Sequence, residues 1–397
     1  MRILFAPLAG AYGIGGITRC LAVAEQSVMR GHEVAFLAPE NYPLLDRYPF
    51  GRRYEVPRPS RPVPRDGNYL SFAEALYVRG MTQPDYLEAA VAAETEAVER
   101  FQPDMIFTEW QTTVAVSGAL TGVPFAATVA TPDVTRLVGG YDDARFDHVH
   151  DAYARLCRSH GVEPAPSVES LLHERAALNV APTVPTIEPL LAAVPRTRYV
   201  GPLLFAPLEL APLPGRVDAD GTTHVLVYLG VGTFTVEDLL PELAEAFPAP
   251  KHRVTVAASH DRVAGRAVPF TTGHITVARG FGITRALRDT DLLIARGGQN
   301  GLMAALLAGV PVIGVPGEHV EPRFNLNVLA AHGAAYVVDE PRASALKEAA
   351  QQLRASGAAR RARLLGEALR RTGGGVAVVQ ALEETILTAP VRDRSVR

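Results

Sequence analysis

Cysteine is scarce in this chain: its 397 residues hold two, Cys20 and Cys157, in no CxxC pair. That excludes a disulfide framework and a cysteine-rich metal site. A surplus of one charge is lacking as well. Lys+Arg 39 against Asp+Glu 42 leave a net charge of -3, so composition points neither to a nucleic-acid partner nor to a disordered acidic tail. Long apolar runs are missing; stretches such as Val310 to Pro316 are far too short to cross a bilayer, and no membrane span is expected. The opening MRILFAPLAG has one arginine and runs straight into glycine, without the long apolar core of a signal peptide, so the expected location is the cytoplasm.

What is present is regular. Residues 2–7 (RILFAP) are an apolar β-type run entering the glycine-rich AGAYGIGG, and from Ile17 to Met29 apolar residues recur at helical spacing until Arg30-Gly31. The strand EVAFLAP, a helical run from Tyr86 to Phe101, the strand MIFTEW, a helix over Thr112 to Leu120 and the strand PFAATVA follow. Such alternation predicts an α/β fold with parallel sheets covered on both faces. Pro57 to Tyr69, rich in proline and arginine, predicts an exposed irregular loop. The same grammar restarts at His224 with HVLVYLGVGTF, HRVTVAAS, HITVAR, DLLIARGG and VPVIGVPG, with a helical Leu302 to Leu307 between the last two. Ser344 to Leu387 reads as one helical run broken at Gly373-Gly374-Gly375. The expected organisation is a Rossmann-like domain over 1–201, a proline-rich linker over 202–221, a second Rossmann-like domain over 222–375, and a C-terminal helix and tail over 376–397.

Two glycine sites follow strands. In Gly13-Ile14-Gly15-Gly16 the missing side chains let backbone approach a ligand at a helix N-terminus. Thr18 stands where a dinucleotide fingerprint needs its third glycine, which disfavours nicotinamide; a tight turn without a ligand is the alternative. In Ala295-Arg296-Gly297-Gly298-Gln299-Asn300-Gly301 a strand ends in a cation, two glycines and two amides that begin a helix. A planar fork of donors, exposed N–H groups and a helix dipole are what a diphosphate requires. The alternative is a plain turn in which Arg296 pairs with an acidic side chain.

The segment Asp291 to Asn325, DLLIARGGQNGLMAALLAGVPVIGVPGEHVEPRFN, resembles the donor-binding signature of GT-B glycosyltransferases of the macrolide and antibiotic type. RCLAVAEQSVMRGHEV near the start, Tyr199-Val200-Gly201-Pro202 and Tyr228-Leu229-Gly230 add to the likeness. The resemblance implies two Rossmann-like domains facing each other across a cleft. It also implies an inverting, metal-independent transfer of a sugar from a nucleoside diphosphate (UDP, dTDP or GDP) to a small-molecule acceptor in natural-product biosynthesis. It places the donor against Gly15, Gly16, Gly232 and Thr233, and its diphosphate against Arg296, Gly297, Gly298, Gln299, Asn300 and Gly301. Arg279, Gly280 and Phe281 fall at the nucleobase and Glu321 at the sugar hydroxyls, the alternative for Glu321 being a solvated loop carboxylate. His319, in the glycine loop near Glu318 and Glu321, either touches the sugar or diphosphate or is solvated. No cofactor beyond the nucleotide sugar and no metal is expected. The D-x-D spacings Asp218/Asp220 and Asp289/Asp291 lie away from strand carboxyl ends. The expected partners are the acceptor and the nucleotide sugar, with no nucleic acid; a homodimer is left open.

The chain also departs from this pattern. The family's catalytic histidine falls on Gly16, the histidine of its H-G-G on Arg296, and an acidic residue often used for the ribose on Ala304. Glu109, in TEW at a strand's carboxyl end, is the expected catalytic base, improved by burial beside Trp110. Its alternative is a helix-capping role. An S- or N-glycosyltransferase, whose thiol or amine acceptor needs no strong base, stays open, as do a non-catalytic auxiliary relative and a sugar-nucleotide epimerase on the same fold. Tyr42, Phe50, Tyr54, Tyr69, Phe72, Tyr77 and Tyr86 either line an acceptor surface or belong to the core. Asp133 is expected to cap a helix, and His148 and His150, two apart, are not expected to pair on a metal.

Overall fold

The computed structural model describes the chain except for residues 9–14, 41, 48–49, 61–70, 135–136, 138–145, 206–220, 230–233, 259–261, 264, 280–281, 318–319 and 389–397. Contacts divide it into two units: Met1–Pro62, Ser71–Phe205 and Thr372–Arg397 form the first, Val63–Leu70 and Ala206–Arg371 the second. No described helix is long and apolar enough to cross a membrane.

In the first unit β1 (Arg2–Pro7), β2 (Glu33–Ala38), β3 (Arg52–Glu55), β4 (Met105–Glu109), β5 (Phe125–Thr128), β6 (Leu178–Ala181) and β7 (Thr197–Tyr199) form one sheet. Its order is β3-β2-β1-β4-β5-β6-β7, and every pairing is parallel. Side chains alternate across a strand, so each strand feeds two cores. Ile3 and Phe5 pack with Leu21 of the helix Gly15–Met29 and Leu382 of the helix Gly375–Thr388. Leu4 and Ala6 pack with Tyr86 of Pro84–Phe101 and Val114 of Val114–Thr121. The C-terminal helix thus completes the first unit. A Cβ added at Gly375 would lie 2.8 Å from the Ala22 carbonyl oxygen, and Glu383 pairs with Arg30 at 2.7 Å and His32 at 2.8 Å.

The second unit contains β8 (Thr223–Tyr228), β9 (His252–Ala257), β10 (Arg262–Val263), β11 (Arg266–Ala267), β12 (Phe270–Thr272), β13 (Ile275–Ala278), β14 (Leu292–Ala295), β15 (Val312–Gly314) and β16 (Ala335–Val337). Seven make a sheet of order β12-β13-β9-β8-β14-β15-β16, while β10 and β11 form a separate ribbon. The expectation of an all-parallel sheet is corrected at one edge. β12 runs antiparallel to β13, because the link Gly273-His274 is far shorter than the dozen residues a parallel crossover needs. The last helical run is also divided earlier than expected: Ala343–Ala355 ends before Gly357, which adopts φ 71°, and Ala358–Arg370 follows.

Both sheets reverse their winding beside their first strand, at β1/β4 in one and β8/β14 in the other. Ligands of doubly wound sheets bind outside the strand carboxyl ends at such a point. Register puts Glu109 opposite Pro7, and Ala295 opposite Tyr228.

One buried charge in the first unit makes stability depend on pH. Glu94 is 0% exposed, and its carboxylate accepts from Thr113 Oγ1 (2.5 Å), Gln111 Nε2 (3.0 Å) and Ser117 Oγ (2.8 Å), all neutral donors. Burial pushes its pKa from the ordinary 4.5 up to about 7, against the lowering effect of those bonds. Since the folded value lies above the unfolded one, ionisation penalises the fold as pH rises from 4.5 through 7, by about 3 kcal/mol once complete. Glu94→Gln should therefore flatten the fall in Tm between pH 5.5 and pH 8 (roughly the span of this titration) seen by thermal denaturation; an unchanged slope would rule the residue out as its source.

Candidate active site

Glu109 is the last residue of β4 and only 1% exposed. A buried carboxylate needs a counter-charge or donors, and Arg19 supplies both. Its Nε donates to Oε1 at 2.6 Å and its Nη2 to Oε2 at 2.8 Å. Arg19 lies three residues beyond Gly16 on the helix Gly15–Met29, so the two positions share one helix face. A Cβ placed on Gly16 would stand 3.5 Å from both Cβ and Oε2 of Glu109. Around a Cβ at Gly15 there is nothing within 4 Å.

Trp110, the next residue, takes φ 61°, a conformation rare for a bulky side chain. Its half-buried ring meets Phe72 edge-on at 5.1 Å, and the guanidinium carbon of Arg79 lies 5.4 Å from its centroid. Beside Trp110 the Glu109 carboxylate is buried, and the Arg19 guanidinium holds both of its oxygens. Glu109 does not cap a helix, since Thr113 holds the N-cap position of Val114–Thr121.

No described histidine of the first unit replaces the imidazole missing at position 16, because each is engaged elsewhere. His32 binds Glu383, His160 binds Glu88, and His150 Nδ1 accepts from the Val168 amide. His148 packs edge-on against Tyr77 at 4.8 Å. His173 is buried on Asn179, and burial pushes its pKa down to about 4, which keeps it neutral.

In the second unit β14 runs into Arg296, Gly297 and Gly298, and the helix Gln299–Ala308 begins with Gln299 and Asn300. Gly297 is a position only glycine fits. Its φ is 114°, and a Cβ would lie 2.5 Å from the Pro322 carbonyl oxygen and 2.8 Å from a Leu326 methyl. Asn325 locks the turn by donating from Nδ2 to Gly297 O at 3.0 Å, and the same Nδ2 reaches Glu321 Oε1 at 3.3 Å. Gly298, exposed with φ -60°, has nothing within 4 Å of its Cβ position, and Gly301 faces the Tyr228 ring at 3.9 Å. Arg296, Gly297, Gly298, Gln299, Asn300, Gly301 and Glu321 are thus gathered at the β8/β14 switch. Arg279 is exposed at the end of β13. Gly232, Thr233, Gly280, Phe281 and His319 lie outside the described residues.

Arg19 and Asn325 are the two residues that the sequence reading did not assign. Asn325 stands one helical turn after Glu321 and could have been found from that spacing; Arg19 carries no local signal. Of the aromatics considered for the acceptor, Tyr42, Tyr54, Phe72 and Tyr86 are core residues, Phe50 and Tyr77 are half-buried, and Tyr69 lies outside the described residues. Asp133 does cap, accepting from the Ala130 amide at 2.9 Å. Among the described residues no group of three or more His, Cys, Asp or Glu side chains is placed to hold a metal ion.

No protein-family model matches the chain. Over 357 residues it is 24% identical to a PGL/p-HBAD biosynthesis rhamnosyltransferase of Mycobacterium bovis (strain BCG / Pasteur 1173P2), covering 84% of this chain and 76% of that protein. Among solved structures it is similar to CalG4, the calicheamicin glycosyltransferase, with TM-score 0.77 at 17% identity over 98% of this chain and 99% of the other. The spinosyn rhamnosyltransferase SpnG, solved in complex with thymidine diphosphate, gives TM-score 0.68 at 18% identity over 96% and 100%. The fold of this chain is GT-B.

Proposed function

We infer that this chain is a glycosyltransferase that moves a sugar from a nucleoside diphosphate to a small-molecule acceptor of natural-product type, with inversion and without a metal. The observation that carries the reading is the pair of switch points: one unit offers a buried carboxylate there, the other a cation followed by glycines and a helix N-terminus. In an inverting displacement the acceptor oxygen attacks the anomeric carbon while the diphosphate leaves from the opposite face. Negative charge grows on the leaving oxygens, and catalysis is greatest where donors already point at that charge. Arg296 and the amides of 298–300 are assigned that task, with Glu321 on the sugar hydroxyls. Glu109 is assigned the acceptor's proton. Because SpnG was solved with thymidine diphosphate, dTDP is the nucleotide we propose over UDP and GDP.

The test is calorimetric titration with dTDP, UDP and GDP. Arg296→Ala should weaken the preferred nucleotide by roughly 10- to 100-fold, the value of a charge-assisted hydrogen bond to phosphate of about 1.5–3 kcal/mol. Undiminished affinity would remove the diphosphate from this turn.

A further inference from the structure

Glu109 is 1% exposed, yet Gly15 and Gly16 beside it are half-buried. The atoms nearest a Cβ at Gly16 are Glu109 Cβ, Oε2 and Cγ, at 3.5, 3.5 and 3.9 Å. The place of the absent side chain is therefore in contact with the carboxylate itself. On the same helix face Arg19 grips both carboxylate oxygens, at 2.6 and 2.8 Å. A carboxylate has about four lone-pair sites, and a bidentate guanidinium takes two of them, one on each oxygen. Oε2 keeps acceptor capacity while its position is held.

We propose that Gly16 is the acceptor's berth: the attacking hydroxyl occupies the space a side chain at 16 would fill and gives its proton to Glu109 Oε2, while Arg19 acts as a positioning residue that holds the carboxylate. This rests on the transferase reading above. As the acceptor oxygen bonds to the anomeric carbon, the bond from that carbon to the diphosphate oxygen breaks and its electron pair leaves with the diphosphate. The acceptor's proton passes to Glu109 and then to solvent, so sugar nucleotide and alcohol become glycoside, nucleoside diphosphate and one proton. Gly16 is on this account a specificity-determining position, where bulk selects against acceptors.

The experiment first screens the full-length chain with dTDP-, UDP- and GDP-sugars against aliphatic and phenolic alcohols, reading product mass. It then compares Gly16→Ala, Gly16→Val, Arg19→Lys and Arg19→Gln on the best pair. Gly16 is the second residue of its helix, and the nearest atoms to an added Cβ lie 3.5 Å away, so a merely structural glycine would tolerate alanine with activity intact. We expect instead that Gly16→Ala lowers turnover about 10-fold and Gly16→Val about 100-fold, the scale of an ångström-level misplacement, with Tm at its parental value. Arg19→Gln should lose kcat while acceptor KM holds, and Arg19→Lys should restore part of it. Parental turnover in Gly16→Val, or losses in the Gly16 variants that merely track Tm, would overturn the berth alone. No product from the parent with any pair would instead overturn the transferase reading.

Discussion

Glu109→Gln should lower transfer to a hydroxyl acceptor by about 10²–10⁴-fold, the usual contribution of a positioned general base, and leave nucleotide binding at its parental value. Gln keeps the shape of the side chain and one acceptor oxygen, so the effect isolates the ability to take a proton. The change also leaves Arg19 facing an amide. Removing one member of a buried pair costs about 3–5 kcal/mol, and the polar isostere Gln should lose less than Ala. Turnover must therefore be measured below the variant's Tm, beside calorimetry with dTDP. A variant that binds the nucleotide and turns over within about threefold of the parent, far outside the range of a lost base, would show that Glu109 takes no proton. An S- or N-acceptor, needing only to be positioned, would then be favoured.

The second large effect is expected at the turn after β14. Gly297→Ala introduces a Cβ 2.5 Å from a backbone oxygen that cannot rotate away, at φ 114°. Backbone strain of about 1–3 kcal/mol and overpacking of about 1–3 kcal/mol combine, so Tm should fall by several degrees and nucleotide affinity beyond detection. The turn can relieve the contact only by moving the amides of 298 and 299 and breaking the Asn325 bond to Gly297 O. Gly298→Ala is the informative neighbour. Its Cβ meets nothing and its φ is ordinary, so the fold should be unaffected. If a diphosphate approaches the backbone closely here, affinity should still drop. Equal nucleotide binding by the parent and Gly298→Ala would mean that no phosphate comes near this turn.

Much of the architecture is legible in local pattern. RILFAP, MIFTE and LLIA are short apolar runs buried along their whole length or nearly so, each followed by a turn, and the structure makes each a strand. Such segments identify themselves because burial on both faces removes the alternation a half-exposed strand shows. Less visible were β3, whose RRYE is rich in charge because it lies at a sheet edge, and the three-residue β7, β12 and β16. Segments this short carry too few residues for a period to register. The break at Gly357 was missed because the residues on either side continue helical spacing, and only the backbone reversal at that glycine separates them.

The sequence by itself determined two Rossmann-like halves, the turn at 296–301 and the absence of a histidine at position 16, because each of these is written in consecutive residues whose hydropathy or φ requirement is local. Only the tertiary structure decided that Arg19 closes on Glu109 from ninety positions away, that Asn325 bonds the backbone of Gly297, and that the last helix returns to the first unit. The reason is physical. These contacts exist because β1 and β4 lie side by side and two helices approach within contact of a glycine, and long-range strand pairing and helix packing leave no mark on the periodicity of any single segment.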